Sequence, residues 1–157
     1  IRSLNCPVYG VPGNHDYQSG VPFEEFATAF SSTGGGWLEN ENLLVPGTGL
    51  EVVGLAIYGD QTIDPPLSEK RILLTHFPQA VDKIGDATFA AILAGHSHGG
   101  QVRLPFYGSL YLPPGVGRYD LGSFQTPAGP LHVTAGIGTS ALPVRFCCPP
   151  ELSLYQS

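Results

Sequence analysis

Residues 89–101 read FAAILAGHSHGGQ, and the parsing of this stretch decides the fold. Phe89–Leu93 is a run of five apolar residues that ends at a glycine-flanked pair of histidines. That is the length of a buried strand, not of a helix. Arg71-Ile72-Leu73-Leu74-Thr75 has the same compact, bulky character and suits a central sheet covered on both faces. Between them, Gln79 to Ile84 fits a short helix. Strand, helix, strand in that order predicts a parallel α/β unit.

Outward from this unit the signals are shorter. Pro7–Val11 predicts a strand that stops at the turn-forming Pro12-Gly13-Asn14. Pro22, Glu24 and Glu25 favour a helix start, and Phe23, Phe26 and Phe30 recur at helical spacing. The helix should run from about Pro22 to Ser31, end before Gly34-Gly35-Gly36, and turn its phenylalanines to the core. Strands follow at Trp37–Glu39, Leu43–Val45 and Leu50–Tyr58. After Gln101 the pattern becomes meander-like, near Tyr119–Gln125, Leu131–Ala135, Val144–Cys147 and Leu152–Tyr155. There is no repeat, linker or low-complexity tract.

Bulk composition bounds the function. The chain has 157 residues, 42% hydrophobic and 13% charged, which suits one globular domain with its own core. A net charge of −6 argues against nucleic acid as the main partner, because phosphate neutralisation needs a basic face. A phosphate-bearing substrate is compatible with that charge if a metal ion supplies the positive field. Three cysteines make neither a disulfide framework nor a metal-spacing motif. No apolar run approaches the roughly 18 residues of a membrane span. The chain starts at Ile1 and contains no methionine, so its start reads as internal to a longer protein.

Four of the five histidines lie in three loops: Gly13-Asn14-His15-Asp16, Thr75-His76-Phe77-Pro78 and Gly95-His96-Ser97-His98. Each loop follows an apolar strand. If the strands are parallel, the loops leave one edge of the sheet, where open α/β sheets bind ligands. His132, in a strand-like run, reads as structural. In an extended segment His96 and His98 would point the same way, roughly 6.5 Å apart. Paired hydrolytic ions lie about 3.5–4 Å apart, so each histidine could hold a different ion. Asn14 offers an amide oxygen, and His15 can act on a substrate. Asp16 is placed to orient an imidazole. Taken singly, each loop has a bland explanation as a polar turn; the coincidence of three argues for a site.

GNHD, then THFP, then GHSH is the ordered signature of the calcineurin-like metallophosphoesterase superfamily, which this chain resembles over nearly all its length. The extension GHSHGGQVRLP, followed by PVRF and PE, is similar to a bacterial, often membrane-associated branch. The resemblance implies an α/β fold, an α/β/β/α sandwich with mixed sheets. It also implies hydrolysis of a phosphomonoester, phosphodiester or pyrophosphate with two divalent metal ions, drawn from Mn, Fe, Zn or Ni. Asn14, His76 and His96 would bind one ion and His98 the other. His15 would contact the phosphate and protonate the leaving oxygen, with Asp16 as its partner. Some members of the branch cleave a UDP-linked lipid precursor, which extends the expectation to a lipid-linked substrate and peripheral membrane contact. The apolar stretch Leu104–Pro114 could serve such contact or fold back on the domain. Arg103, Arg118 and Arg145 are candidates for a substrate phosphate.

Two motifs of that family are missing. Asp-x-His and Gly-Asp-x-x-Asp should precede GNHD, but only twelve residues do. Gly59-Asp60 fails in order and spacing, and Asp60 reads as a turn residue. The expectation is therefore the C-terminal part of one metallophosphoesterase domain, its first strands missing. It should hold one ion well and be weakly active or inactive alone. The competing reading is a non-catalytic scaffold or a domain with one structural metal. A metallo-β-lactamase-type site is disfavoured, since Gly99-Gly100 stands where that fold continues with Asp-His.

Overall fold

The runs around Leu73 and Ile92 are adjacent parallel strands at the centre of a six-stranded sheet. The computed structural model describes residues 1, 3–59 and 61–156; Asp60 lies outside the described residues. The strands are β1 (Tyr9–Gly10), β2 (Gly36–Trp37), β3 (Glu41–Leu44), β4 (Leu50–Leu55), β5 (Lys70–Thr75), β6 (Ala91–Ala94), β7 (Arg103–Leu104), β8 (Gly108–Ser109), β9 (Gly122–Thr126) and β10 (Gly129–Val133). The helices are α1 (Asn14–Gln18) and α2 (Phe23–Ser31). Strand order in the large sheet is β3-β4-β5-β6-β10-β9. The middle four strands are mutually parallel, and both outer pairings are antiparallel. This is the mixed-sheet α/β architecture expected.

Register explains the core. Val53, Leu73, Ile92 and Leu131 are successive cross-strand partners, and so are Leu55, Thr75, Ala94 and Val133. Side chains alternate along a strand, so both rows face the same side. Ala80, Val81, Ile84, Phe89 and Tyr119 pack there with them, all buried. Residues 78–82 form a single 3-10 turn, the short helix expected near Gln79. At the other end of the strands, buried Glu51 and Arg71 are register partners and form an ion pair, Nε to Oε2 3.1 Å.

The opposite face carries a second layer. β1 and β2 pair in parallel and form a separate two-stranded sheet. Gly54 permits their approach: a Cβ there would lie 2.2 Å from Leu38 Cβ and 3.0 Å from Val11 Cγ1. The phenylalanines of α2 join this layer and not the main core, and no residue of α2 is buried. They gather around Trp37, with Phe26 stacked on it at 4.8 Å and Phe30 at 5.0 Å. The amphipathic spacing does form a helix, but its apolar face meets a small aromatic cluster and not the main core.

Three local expectations are corrected. Residues 14–18, read as loop, form one helical turn, because Asp16 Oδ2 accepts the Gly13 N–H at 2.7 Å and its own N–H donates to Gly13 O. Among the described residues, Val144–Cys147 contributes one bridge, Val102 to Phe146, and no strand. Residues 152–155 form no strand; the segment is instead held through Glu151, whose Oε2 accepts the Ala135 N–H at 3.0 Å. Among the described residues, no helix is long and apolar enough to cross a membrane.

Candidate metal centre

Strand register brings the first two histidines together. Thr75 and Ala94 are partners in the β5–β6 ladder, so the segments that follow leave the same edge side by side. His76 and His96 end with ring centroids 4.7 Å apart. The third loop arrives from the other layer, not from the same sheet as expected. β1 leads into Gly13, and His76 Nε2–H donates to Asn14 Oδ1 at 2.8 Å. Gly13 is required for that approach: a Cβ on it would lie 2.8 Å from His76 Cε1 and 2.9 Å from Nδ1.

Phe77 and Pro114 complete the setting, and neither was singled out from sequence. The Phe77 ring lies 4.4 Å from that of His96. His96 Nε2–H donates to the Pro114 carbonyl at 2.9 Å. That bond leaves Nδ1 as the nitrogen with a lone pair, the arrangement typical of ligating histidines. The only hint in the sequence was that Pro113-Pro114-Gly115 forces a turn close after the GHSH loop. Gly115 sits against Phe77, at a φ of +97°.

The HxH geometry differs from expectation. The segment is not extended: His96 has φ +65°, Ser97 −64° and His98 +48°. Flanking glycines relieve crowding, so the chain can take left-handed turns instead of a straight strand end. His98 is thus placed by a turn and not by period-two alternation. It stays on the same side of the fold, near enough that a charge on its ring would lower the pKa of His76 and His96.

Electrostatics suit the imidazoles to a cation. Burial, then the nearby His96, His98 and His15, lowers the His76 pKa to about 4. Burial likewise lowers His96 and His98, with Arg145 adding to the effect on His98. These rings are therefore neutral near pH 7, as metal binding requires. His15 is exposed, and it lies close enough for its charge to act on all three. Asp16 has a partner other than the one expected: its carboxylate holds the Gly13 amide and so fixes the turn that carries Asn14 and His15.

Two neutral imidazoles and one amide oxygen fit a divalent transition ion by donor chemistry. Among the described residues, no three or more His, Cys, Asp or Glu side chains group as ligands; the donors that meet here are His76, His96 and the Asn14 amide oxygen. The arginines are committed elsewhere. Arg103 Nη1 donates to Asp120 Oδ2 at 2.8 Å and Gly99 O at 2.9 Å, and Arg118 pairs with Asp82. Arg145 donates to backbone carbonyls, among them His98 O at 3.2 Å. His132, read as structural, donates through Nε2–H to Glu151 Oε1 at 3.1 Å and tethers the C-terminal segment. The hairpin after the histidine loop folds back, with β7 on β8, yet Phe106, Tyr107 and Tyr111 are exposed.

Among known proteins, the chain is 33% identical to the metallophosphoesterase YkuE of Bacillus subtilis, over 99% of this chain and 58% of that one. It is 29% identical to the phosphodiesterase YaeI of Escherichia coli, over 96% of this chain and 58% of the relative. A UDP-2,3-diacylglucosamine pyrophosphatase of Chlamydia trachomatis, LpxG, is 28% identical over 76% of this chain and 40% of its own length. The chain thus spans a little over half the length of the first two relatives. No family model matches the chain. No solved structure matches it either.

Proposed function

The chain belongs to the calcineurin-like metallophosphoesterase superfamily, and from that premise we propose that it carries the metal-binding edge of a hydrolase for phosphoric esters or pyrophosphates. The observation that carries the reading is the convergence of Asn14 and His76, 2.8 Å apart, with His96 beside them. Asn14, His76 and His96 would hold one ion, and His98 would contribute to a second. When bound, such ions draw charge from phosphoryl oxygens and make water nucleophilic near neutral pH.

The protein's own groups do the rest. His15, exposed at the start of α1, is free to approach a phosphate and pass a proton to the leaving oxygen. Asp16 acts by locking the turn beneath it. Phe77 and the Pro114 carbonyl keep the His96 ring from rotating. The exposed Phe106, Tyr107 and Tyr111 support an apolar substrate portion, such as a lipid chain, or contact with a bilayer surface.

A second reading, a domain that holds one ion without turnover, is favoured by one observation. Among the described residues, no carboxylate completes a ligand group with the histidines. Hydrolysis of a chromogenic phosphodiester with Mn²⁺ decides between the two, using the complete gene product and its His96→Ala variant. The proposal expects turnover that falls about 100-fold or more in the variant, the scale of losing a metal or transition-state contact. Equal rates would overturn it.

A further inference from the structure

Arg145 is not among the ligands of the metal reading above, yet its guanidinium is spent on the loop that carries His98. Nη1 donates to His98 O and Cys148 O, each at 3.2 Å. Nη2 donates to Ala135 O at 2.7 Å, Gly136 O at 3.2 Å and Gly138 O at 2.5 Å, and Nε also donates to Gly138 O, at 3.2 Å. Five carbonyls from three segments converge on one side chain. No carboxylate among the described residues pairs with it.

The loop needs such a hold. His98, Gly99, Gly100 and Gln101 are four consecutive left-handed residues, at φ +48°, +60°, +76° and +51°. For His98 and Gln101, which have a Cβ, that conformation is disfavoured and persists only when the surroundings over-determine it. The surroundings do so from several sides. Arg103 takes Gly99 O at 2.9 Å, and Gln101 exchanges hydrogen bonds with the backbone of Ser140. Cys148 is buried beneath the loop, its Sγ 2.6 Å from where a Gly99 Cβ would stand, and its S–H donates to His98 O at 3.4 Å. Arg145 joins that floor to the His98 carbonyl.

We propose that Arg145 is a positioning residue for His98, its guanidinium fixing the His98 carbonyl and so aiming the imidazole into the metal-binding hollow. The inference rests on the reading of His98 as a ligand of the second ion. A planar fork of five N–H donors is what the carbonyl cluster demands; a lysine ammonium has three and cannot satisfy it. None of the hydrogen bonds of Arg145 reaches Asn14, His76 or His96, so its loss should spare the first ion.

The test is a Zn²⁺ titration of the chain followed by the NMR signals of the histidine rings, with His98→Ala used to assign His98. In the parent protein, His76 and His96 should respond to the first equivalent and His98 to later additions. Arg145→Ala should leave the first response unchanged and raise the Zn²⁺ needed to move His98 by about tenfold or more, the scale for removing a group that orients a ligand. Arg145→Lys should fall between, and it carries the test by the same criterion if the alanine variant does not fold. A His98 signal that moves at parental Zn²⁺ in Arg145→Ala overturns the proposal. Loss of the His76 and His96 responses as well would also overturn it, because Arg145 would then support the whole domain. A parental His98 that never responds to Zn²⁺ refutes instead the ligand reading beneath it.

Discussion

Gly13→Ala is the smallest change that should unseat the proposed site. Gly13 has φ −100° and ψ 170°, ordinary extended backbone, so alanine brings no conformational penalty there. The new methyl would instead meet the His76 ring, at 2.8 Å from Cε1, 2.9 Å from Nδ1 and 3.2 Å from Nε2. Ordinary contact begins at 3.4 Å, so the ring must retreat by about 0.6 Å. Site geometry tolerates about 0.5 Å before function suffers. Inserting a methylene into a packed site costs about 1–3 kcal/mol. Because the floor of the site takes that strain, it should appear as about 5- to 150-fold weaker metal binding, at tenfold per ~1.4 kcal/mol. The assay is Zn²⁺ affinity by competition with a chromogenic chelator, with thermal unfolding of the metal-free chain as companion. Gly95→Ala is the control: it lies in the GHSH loop, and a Cβ there meets nothing within 4 Å. If Gly13→Ala binds Zn²⁺ as tightly as the parent while folding normally, His76 is not a ligand held against Gly13.

Other consequences concern stability and pH. Glu51→Ala should destabilise by about 3–5 kcal/mol in urea unfolding, because it strands the buried Arg71 guanidinium and removes the acceptor for the Leu67 and Ser68 amides; a loss below about 1 kcal/mol would contradict the pairing. Burial pushes the Glu51 carboxyl up, but hydrogen bonds from Asn42, Ser68 and Leu67 and the charge of Arg71 pull it lower still, to a net depressed pKa. Its stabilisation should thus be complete above the unfolded-chain value of about 4.3 and be lost as pH falls through the lower folded value. His76 acts in a higher window. Its ring is held neutral to about pH 4, whereas in the unfolded chain it protonates near pH 6.5, so the metal-free chain should lose stability as pH falls between the two. His76→Gln should remove that part of the pH profile, as read by thermal unfolding. Chelation of a Zn²⁺-loaded sample should lower Tm, because an ion bound only by the folded state stabilises it by mass action; an unchanged Tm would mean the ion is not bound to the fold.

The legible part of this protein was the part written in short-range pattern. Bulky runs at Arg71–Thr75 and Phe89–Leu93 identified the central parallel strands, and their ends located His76 and His96. What failed was anything set by a contact between layers. GNHD reaches the site from the β1–β2 layer through close approaches at Gly54 and Gly13, and nothing in their local sequence distinguishes a packing glycine from a turn glycine. The His96–His98 segment was read as extended because period-two spacing is the simplest rule. Left-handed φ values at both histidines, held by distant carbonyl and guanidinium partners, override it. Asp16 shows the same limit: its nearest neighbour in sequence is an imidazole, but its hydrogen bond goes to the Gly13 amide.

Metal stoichiometry tests the Asn14–His76–His96 site most directly. Purified chain equilibrated with Zn²⁺ or Mn²⁺ and freed of excess ion should retain one equivalent by elemental analysis, and a His76→Ala/His96→Ala double variant that keeps its fold should retain none. Retention of no metal by the parent, or of the same amount by the variant, would contradict the claim that Asn14, His76 and His96 form one cation site.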